Sequence, residues 1–376
     1  MKRRDFLKSS VLGGAAAVAA TSLLASCDKK EEAGGGQAPA VSKGIKELRM
    51  VTSWPKNFPG LGTAATRVAQ RIEAMSGGRY QIKVYAAGEL VHALKCNDAV
   101  QEGTADLYHS ADYYYQGKIK AYNFFTSVPF GMTPNERDAW IHHGGGQALW
   151  DEVGAQFGIK HLSCSNTGSQ MGGWYKKPMR SLEDFKGLKM RIPGLGGGVI
   201  KALGGTALTL AGGEILPALQ AGTIDATEWV GPWNDLAFGF YKVVKNYHFP
   251  GFHEPSSTLS FGIGKKLWDE MGPTDQAIFT NAAHAENNYG FAEFNANNSQ
   301  ALETLVTKHG VKVHEFSDEI YKAFGNAAKD VLATAGASDP LTQKVYDSFM
   351  AFRKIGSDWS RLSDQAYLTK RSLVKF

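Results

Sequence analysis

One phrase occurs twice in this chain, and it narrows the fold. Residues 99–106 read Ala-Val-Gln-Glu-Gly-Thr-Ala-Asp, and residues 218–225 read Ala-Leu-Gln-Ala-Gly-Thr-Ile-Asp. Five of the eight positions are identical, and a sixth exchanges Val for Leu. Each copy predicts the end of a helix, a Gly in the left-handed cap position and then a short strand. Two such units imply two similar α/β lobes. Ligands of open α/β sheets bind beyond the carboxyl ends of the strands. The expected ends here are Tyr108-His109-Ser110 and Thr227-Glu228-Trp229. Chance, helped by the commonness of Gly caps, is the competing account.

The N-terminus addresses location. Lys2-Arg3-Arg4-Asp5-Phe6-Leu7-Lys8 resembles the twin-arginine export motif, with Lys2 where Ser or Thr is usual. Val11 to Leu24 is mildly apolar and rich in Ala and Gly, too short for a stable membrane span. It runs into Leu24-Ala25-Ser26-Cys27, which resembles a lipobox. Residues 1–26 are thus expected to be a signal peptide, with Cys27 the lipid-modified first residue of a periplasmic protein tethered to the membrane. An ordinary signal peptide with a chance Cys is the competing account. Residues 27–44 predict a flexible tether, because Lys29-Lys30-Glu31-Glu32, three glycines and Pro39 carry no apolar period.

The formal charge is +5, and loss of residues 1–26 lowers it by three. Near-neutral charge without a basic run argues against nucleic acid as a partner. About 350 residues remain, enough for two ordinary domains. Cys96 and Cys164 are spaced so that pairing is undecided, and neither C-x-x-C nor zinc-type spacing occurs.

Periodicity predicts α/β structure along the rest of the chain. Strands are expected over Ile45–Val51, Tyr80–Tyr85, Ile159–Ser163 and Leu188–Pro193. Helices are expected over Thr63–Met75, His92–Glu102 and Arg137–Phe157. Two longer ones, Thr274–His309 and Asp339–Leu368, exceed the width of one lobe and suit bridging or dimerisation. Gly194 to Gly198 is Gly-rich, but Val199 stands where a dinucleotide fingerprint needs its third Gly, and no G-K-[ST] follows.

These segments resemble the extracytoplasmic solute receptors of TRAP transporters, the DctP-type binding proteins, over residues about 45 to 370. The resemblance rests on Ala99 to Asp106, Asn166 to Trp174, Lys189 to Gly197 and Ala218 to Trp229. Gln170, Glu228-Trp229 and Phe252-His253-Glu254-Pro255 look most like the subgroup that binds 2-oxo acids. It implies an α/β, two-lobed periplasmic-binding-protein-like fold with the cleft between lobes. Lobe I is then about 45–165 plus parts of 255–376, and lobe II about 166–254. It also implies a monocarboxylate ligand such as pyruvate or lactate, a metal cation bound with it, and TRAP permease subunits as partners. A homodimer through the C-terminal helix is a further implication.

The chemistry of the matching residues fits those implications. Arg191, at a strand end, can hold a carboxylate with two parallel hydrogen bonds. A hard cation needs oxygen ligands. Gln170, Glu228, Glu254 and the Trp229 carbonyl supply them, and sodium and calcium suit equally. Tyr114 or Tyr115 is expected to offer its phenol to the ligand, and Trp229 and Trp233 to wall the pocket. His142, His143 and His253 lack partners at metal spacing and are expected to be structural. The alternative is an exported metal-assisted enzyme using Glu228 and Glu254 as acid and base. No G-x-S-x-G, H-E-x-x-H or P-loop supports it.

A first prediction concerns the anchor. Intact-mass analysis of membrane-extracted protein should find an acylated chain beginning at Cys27. Cys27→Ala should release the protein from the membrane fraction. An unacylated mature chain cut elsewhere would remove the lipoprotein reading.

Overall fold

The computed structural model describes residues 44–375. The export motif, the lipobox with Cys27 and residues 27–43 of the expected tether lie outside the described residues. Eleven strands are present among the described residues. They are β1 (Lys46–Thr52), β2 (Tyr80–Tyr85), β3 (Leu107–Ser110), β4 (Ile159–Asn166), β5 (Gly173–Tyr175), β6 (Lys189–Arg191), β7 (Thr206–Leu208), β8 (Ala226–Thr227), β9 (Asn246–Phe249), β10 (Thr258–Gly264) and β11 (Lys312–Glu315).

They form two sheets. The first has the order β2-β1-β3-β10-β4, and the second β11-β9-β5-β8-β6-β7. β3 and the inner part of β4 are buried throughout. The sheet is mixed, with β10 antiparallel to both neighbours, and it is covered at these central strands while the edge strand β2 is only partly buried. The chain crosses from the first sheet to the second after β4 and returns before β10. The two crossing segments bond to each other, Gln170 N–H to Glu254 O at 3.2 Å and Thr167 N–H to Ser257 O at 3.0 Å.

The repeated phrase does the same work in each sheet. It closes the helices Cys96–Gln101 and Gly212–Ala221 with Gly103 and Gly222 at φ +76° and +73°. That is the left-handed conformation Gly adopts without steric cost. The terminal Asp then locks onto the neighbouring strand. Asp106 donates N–H to Arg49 O at 2.9 Å and accepts from Arg49 N–H at 2.7 Å. Asp225 does likewise with Lys189, at 2.7 and 3.2 Å. Each copy thereby registers a strand parallel to its neighbour, β3 on β1 and β8 on β6.

The helix Pro273–Thr307 has 35 residues, about 50 Å at 1.5 Å per residue. It packs on β4, on the helix Gly62–Met75 and on the helix Pro232–Phe238 of the second sheet. Phe279 and Ala282 enter the apolar core beside the first sheet, and Leu305 that beside the second. Gly290 permits the close approach to β4, since a Cβ there would stand 3.0 Å from Ser165 Cβ. This helix bridges the sheets.

Three details depart from the sequence expectations. The helix expected over Arg137–Phe157 is two helices, Pro134–His143 and Gly146–Ala155, broken at Gly144–Gly145. The C-terminal helix is Pro340–Leu362 followed by a separate Asp364–Arg371. Residues 312–315 return to the second sheet as an edge strand on β9. Cys96 and Cys164 are buried free thiols. Among the described residues no helix is long and apolar enough to cross a membrane.

Candidate functional site

The carboxyl ends of β1, β3 and β4 face those of β6 and β8, and the residues just past them meet. Arg191 ends β6 and is wholly buried. Its Nη1 donates to the Glu228 carbonyl at 3.1 Å and to Glu228 Oε1 at 2.5 Å. Its Nε donates to Leu210 O at 3.2 Å and its Nη2 to Tyr114 Oη at 3.4 Å. The guanidinium carbon lies 5.0 Å from the Trp229 ring centroid, a cation–π distance. Burial alone would lower the Arg191 pKa, but the Glu228 carboxylate outweighs it and holds the pKa above its ordinary value.

Glu228 follows β8 and shares its two oxygens. Oε2 is 3.2 Å from His253 Nε2. Burial lowers the His253 pKa, and the Glu228 carboxylate more than reverses this. Glu254 is pushed up to about 7, first by burial and then by the Glu228 charge. Ligand atoms of Glu228, His253 and Glu254 all lie within 4.8 Å of one another.

Gln170 completes the cluster. Its Nε2 donates to Glu254 Oε2 at 2.8 Å and to Thr167 Oγ1 at 3.1 Å. Thr167 Oγ1 spends its own proton on Gly168 O, so it accepts from the amide. Both bonds fix the amide with nitrogen toward Thr167 and Glu254. Gln170 Oε1 is left buried and without a hydrogen-bond partner among the described residues. A buried oxygen of this kind, on an amide bonded to Glu254 of the carboxylate cluster, fits a hard cation. His253 does not belong in that oxygen set, because its Nε2 is engaged by Glu228.

Asp235 holds the turn after β8 in place. It accepts from Val230 N–H at 3.3 Å, Trp174 Nε1 at 2.9 Å and Tyr247 Oη at 2.6 Å. A small cavity of about 10 Å³, room for about one water, lies beside the cluster, and Tyr114, Gln170, Trp229, Trp54, Leu61 and Leu259 are among its lining residues. That is far below the roughly 300–1,000 Å³ of sites for drug-sized ligands, so the site is closed around almost no free space.

Arg191, Gln170, Tyr114, Glu228, Trp229 and Glu254 are thus brought together. Tyr115 is not with them. Its hydroxyl donates to Ser110 Oγ at 2.7 Å and its ring packs on Tyr108 and Tyr122. Trp233 packs on Phe294 of the bridging helix, away from the cavity. His142 stacks edge-on against His284. His253, expected to be structural, touches Glu228 through Nε2. Thr167 and Trp54 were also missed, although each lies just past a strand end.

A buried cleft with an Arg, paired carboxylates and an unfilled oxygen between two α/β lobes defines a two-lobed solute-binding protein. Residues 50–339 match the bacterial extracellular solute-binding proteins of family 7, the DctP family, and the chain belongs to it. A monocarboxylate 2-oxoacid-binding periplasmic protein of Nostoc sp. (strain PCC 7120) is 41% identical over 319 residues, 85% of this chain and 87% of that one. A TRAP periplasmic solute-binding protein of Pseudoalteromonas atlantica, solved with sodium and pyruvate, superposes with a TM-score of 0.84. It is 37% identical and covers 86% of this chain and 99% of its own. One from Bordetella bronchiseptica, a dimer with calcium and picolinate, gives 0.86 at 34% identity, covering 88% and 98%.

The raised Glu254 pKa makes stability depend on pH. A carboxyl raised from 4.5 to about 7 by folding contributes stability below the lower value that is lost as pH climbs through the upper one. Asp235, also pushed up to about 7, acts in the same direction. Chelator-treated protein should therefore melt at a lower temperature at pH 8 than at pH 5.5. Glu254→Gln should flatten part of that slope in a calorimetric series. An unchanged slope would place the Glu254 carboxyl in its ordinary range.

Proposed function

We propose that this protein is a TRAP solute receptor that binds a short 2-oxo or 2-hydroxy monocarboxylate together with sodium or calcium and delivers it to membrane permease subunits. The observation that carries this reading is the buried Gln170 Oε1, unpartnered among the described residues, on an amide that bonds Glu254, which itself clusters with Glu228. Arg191 and the Tyr114 hydroxyl would hold the acid's carboxylate. Gln170, Glu228, Glu254 and the Trp229 carbonyl would hold the cation. The cation would also touch neighbouring carboxylate and keto oxygens of the acid, which explains a preference for a 2-oxo group. The sodium and pyruvate of the Pseudoalteromonas relative and the name of the Nostoc relative support the same ligand class.

The finer assignments belong to the same reading. Residues about 45–165, with parts of 255–376, form one lobe, and about 166–254 the other, joined there by β11. Export is through the twin-arginine route, with Cys27 as a lipid anchor. A homodimer forms through the C-terminal helix, where Ile355, Trp359 and Leu362 are 66%, 69% and 68% exposed. Their spacing puts them on one helical face, a stripe that water alone leaves uncovered. Trp359→Lys should convert a dimer to a monomer in light scattering, and a monomeric parent would remove the proposal.

Acid and cation share a contact, so each must raise the other's affinity by the same factor. Titration calorimetry with pyruvate at fixed ionic strength should show a gain of about 1–3 kcal/mol on adding the preferred cation. Arg191→Lys, which keeps the charge and loses the planar fork, should cost about 1.5–3 kcal/mol. The bound acid should be recovered unchanged, whereas turnover would favour an enzyme. Affinity flat across sodium, potassium, magnesium and calcium, in verified ion-free protein, would exclude the cation bridge.

A further inference from the structure

The first strand end marked by the repeated phrase, Tyr108-His109-Ser110, contributes nothing to the Arg191 cluster. Its His109 is wholly buried and holds a cavity wall instead. Trp54 follows β1, is 2% exposed and lines the cavity. Its indole Nε1 donates to His109 Nδ1 at 2.7 Å. An indole N–H can only donate, so Nδ1 must be the accepting nitrogen. The ring proton is then on Nε2, which donates to Cys164 O of β4 at 2.8 Å. Burial, which lowers the His109 pKa to about 4, keeps this single neutral tautomer through the physiological range.

The indole is fixed on its other sides too. Its ring centroid is 6.3 Å from Trp229, edge to face, and 6.4 Å from Tyr114. Its backbone carbonyl accepts from Ala87 N–H at 2.9 Å. A wall with one rotamer and two aromatic neighbours cannot yield without breaking a buried hydrogen bond. The cavity lining therefore combines polar groups, Tyr114, Thr167, Gln170 and Ser257, with the apolar Leu61, Leu259 and Val230 and the fixed Trp54 indole.

We propose that Trp54, held in place by His109, is the specificity wall that restricts the site to 2-oxo acids with short apolar side chains. The inference rests on the carboxylate-and-cation reading of the site. With the carboxylate at Arg191 and the oxo group at the cation, the cavity beside them is the space left for the acid's third and later carbons, and the indole is one of its walls. Extra methylenes meet a wall that does not move. A second carboxylate there would be an unpaired buried charge, since among the described residues no cationic side chain lines the cavity. His109 is a positioning residue, since it acts on the ligand only through Trp54.

The test is calorimetric titration of the full mature chain with pyruvate, 2-oxobutyrate, 2-oxohexanoate and 2-oxoglutarate, in sodium and in calcium buffer. Wild type should bind the two shorter acids and lose about tenfold or more for the longer and the doubly charged ones, as a filled apolar pocket does per added group. Trp54→Ala and the milder Trp54→Phe should shrink the ratio of 2-oxobutyrate to 2-oxohexanoate affinity. His109→Leu, which leaves the indole N–H unpaired, should shrink it too. His109→Gln, which offers the same acceptor and donor pair, should retain it. A purely structural His109 would lower the melting temperature and leave the ratio alone. A wild-type ratio in both Trp54 variants, or tight wild-type binding of 2-oxoglutarate, overturns the wall. If no 2-oxo acid binds wild type, the ligand class itself is wrong, and the wall fails with it.

Discussion

The site depends on one buried ion pair, Arg191 with Glu228. Removing two charges from water costs several kcal/mol per ion, and the pair offsets this only when every remaining donor and acceptor is engaged. Here they come from separate parts of the chain. The guanidinium belongs to β6, its partner to the turn after β8, and its other contacts are Leu210 O and the Tyr114 hydroxyl. Tyr114 follows β3 of the first sheet. The interaction therefore ties neighbouring strands of one sheet together and reaches across the cleft to the other. The turn after β8 is fixed in addition by Asp235, and Met171 N–H bonds Val230 O at 3.1 Å. Glu228 is thus held by backbone on one side and by charge on the other.

That pair leaves a charge imbalance which defines the site's chemistry. Arg191 answers Glu228, and His253 leans on the same carboxylate. Glu254 is in no ion pair among the described residues, and burial with the Glu228 charge pushes it up to about 7 against the weaker pull of His253 and Arg191. Two remedies exist for such a group, a proton or a cation. The fixed amide of Gln170, with its oxygen unpartnered among the described residues, favours the cation by adding a third oxygen. An anionic acid with neighbouring oxygens then finds a guanidinium on one side and a cation on the other. The same arrangement that costs stability in the empty site is what makes acid and cation bind together.

Much of this was legible in the sequence because the informative segments are short and local. The repeated phrase carries its own register device, since its Asp bonds the adjacent strand in both sheets. Its second copy points straight at Glu228. Arg191, Gln170 and Glu254 sit in the quoted segments and do converge. The misses have physical causes. Asp112–Tyr115 forms a 3-10 turn with about three residues per turn, so consecutive tyrosines point in different directions. Tyr114 meets Arg191 and Tyr115 turns into the core, a choice that spacing alone does not fix. The His253 contact is invisible to spacing along the chain, because its partner Glu228 is 25 residues away. β11 was unassigned because an exposed edge strand of four residues carries little periodic signal.

The bridging helix sets how the cleft can open. It is fastened to the first sheet's helix by Arg67, which bonds both Glu286 and Glu293. It is fastened to the second sheet by Asn298, whose Oδ1 accepts from Trp233 N–H at 3.1 Å, and by Phe294 against the Trp233 ring. Asn234 Nδ2 reaches Pro59 O directly across the cleft at 3.1 Å. Separation of the sheets must therefore break the Asn234 contact and bend or slide a single long helix. It must also draw Tyr114 away from Arg191. Closure and ligand capture then share one contact, because the phenol that completes the guanidinium's shell sits on the opposite lobe. An acid seated between Arg191 and Tyr114 would hold the lobes together through the same groups that recognise it.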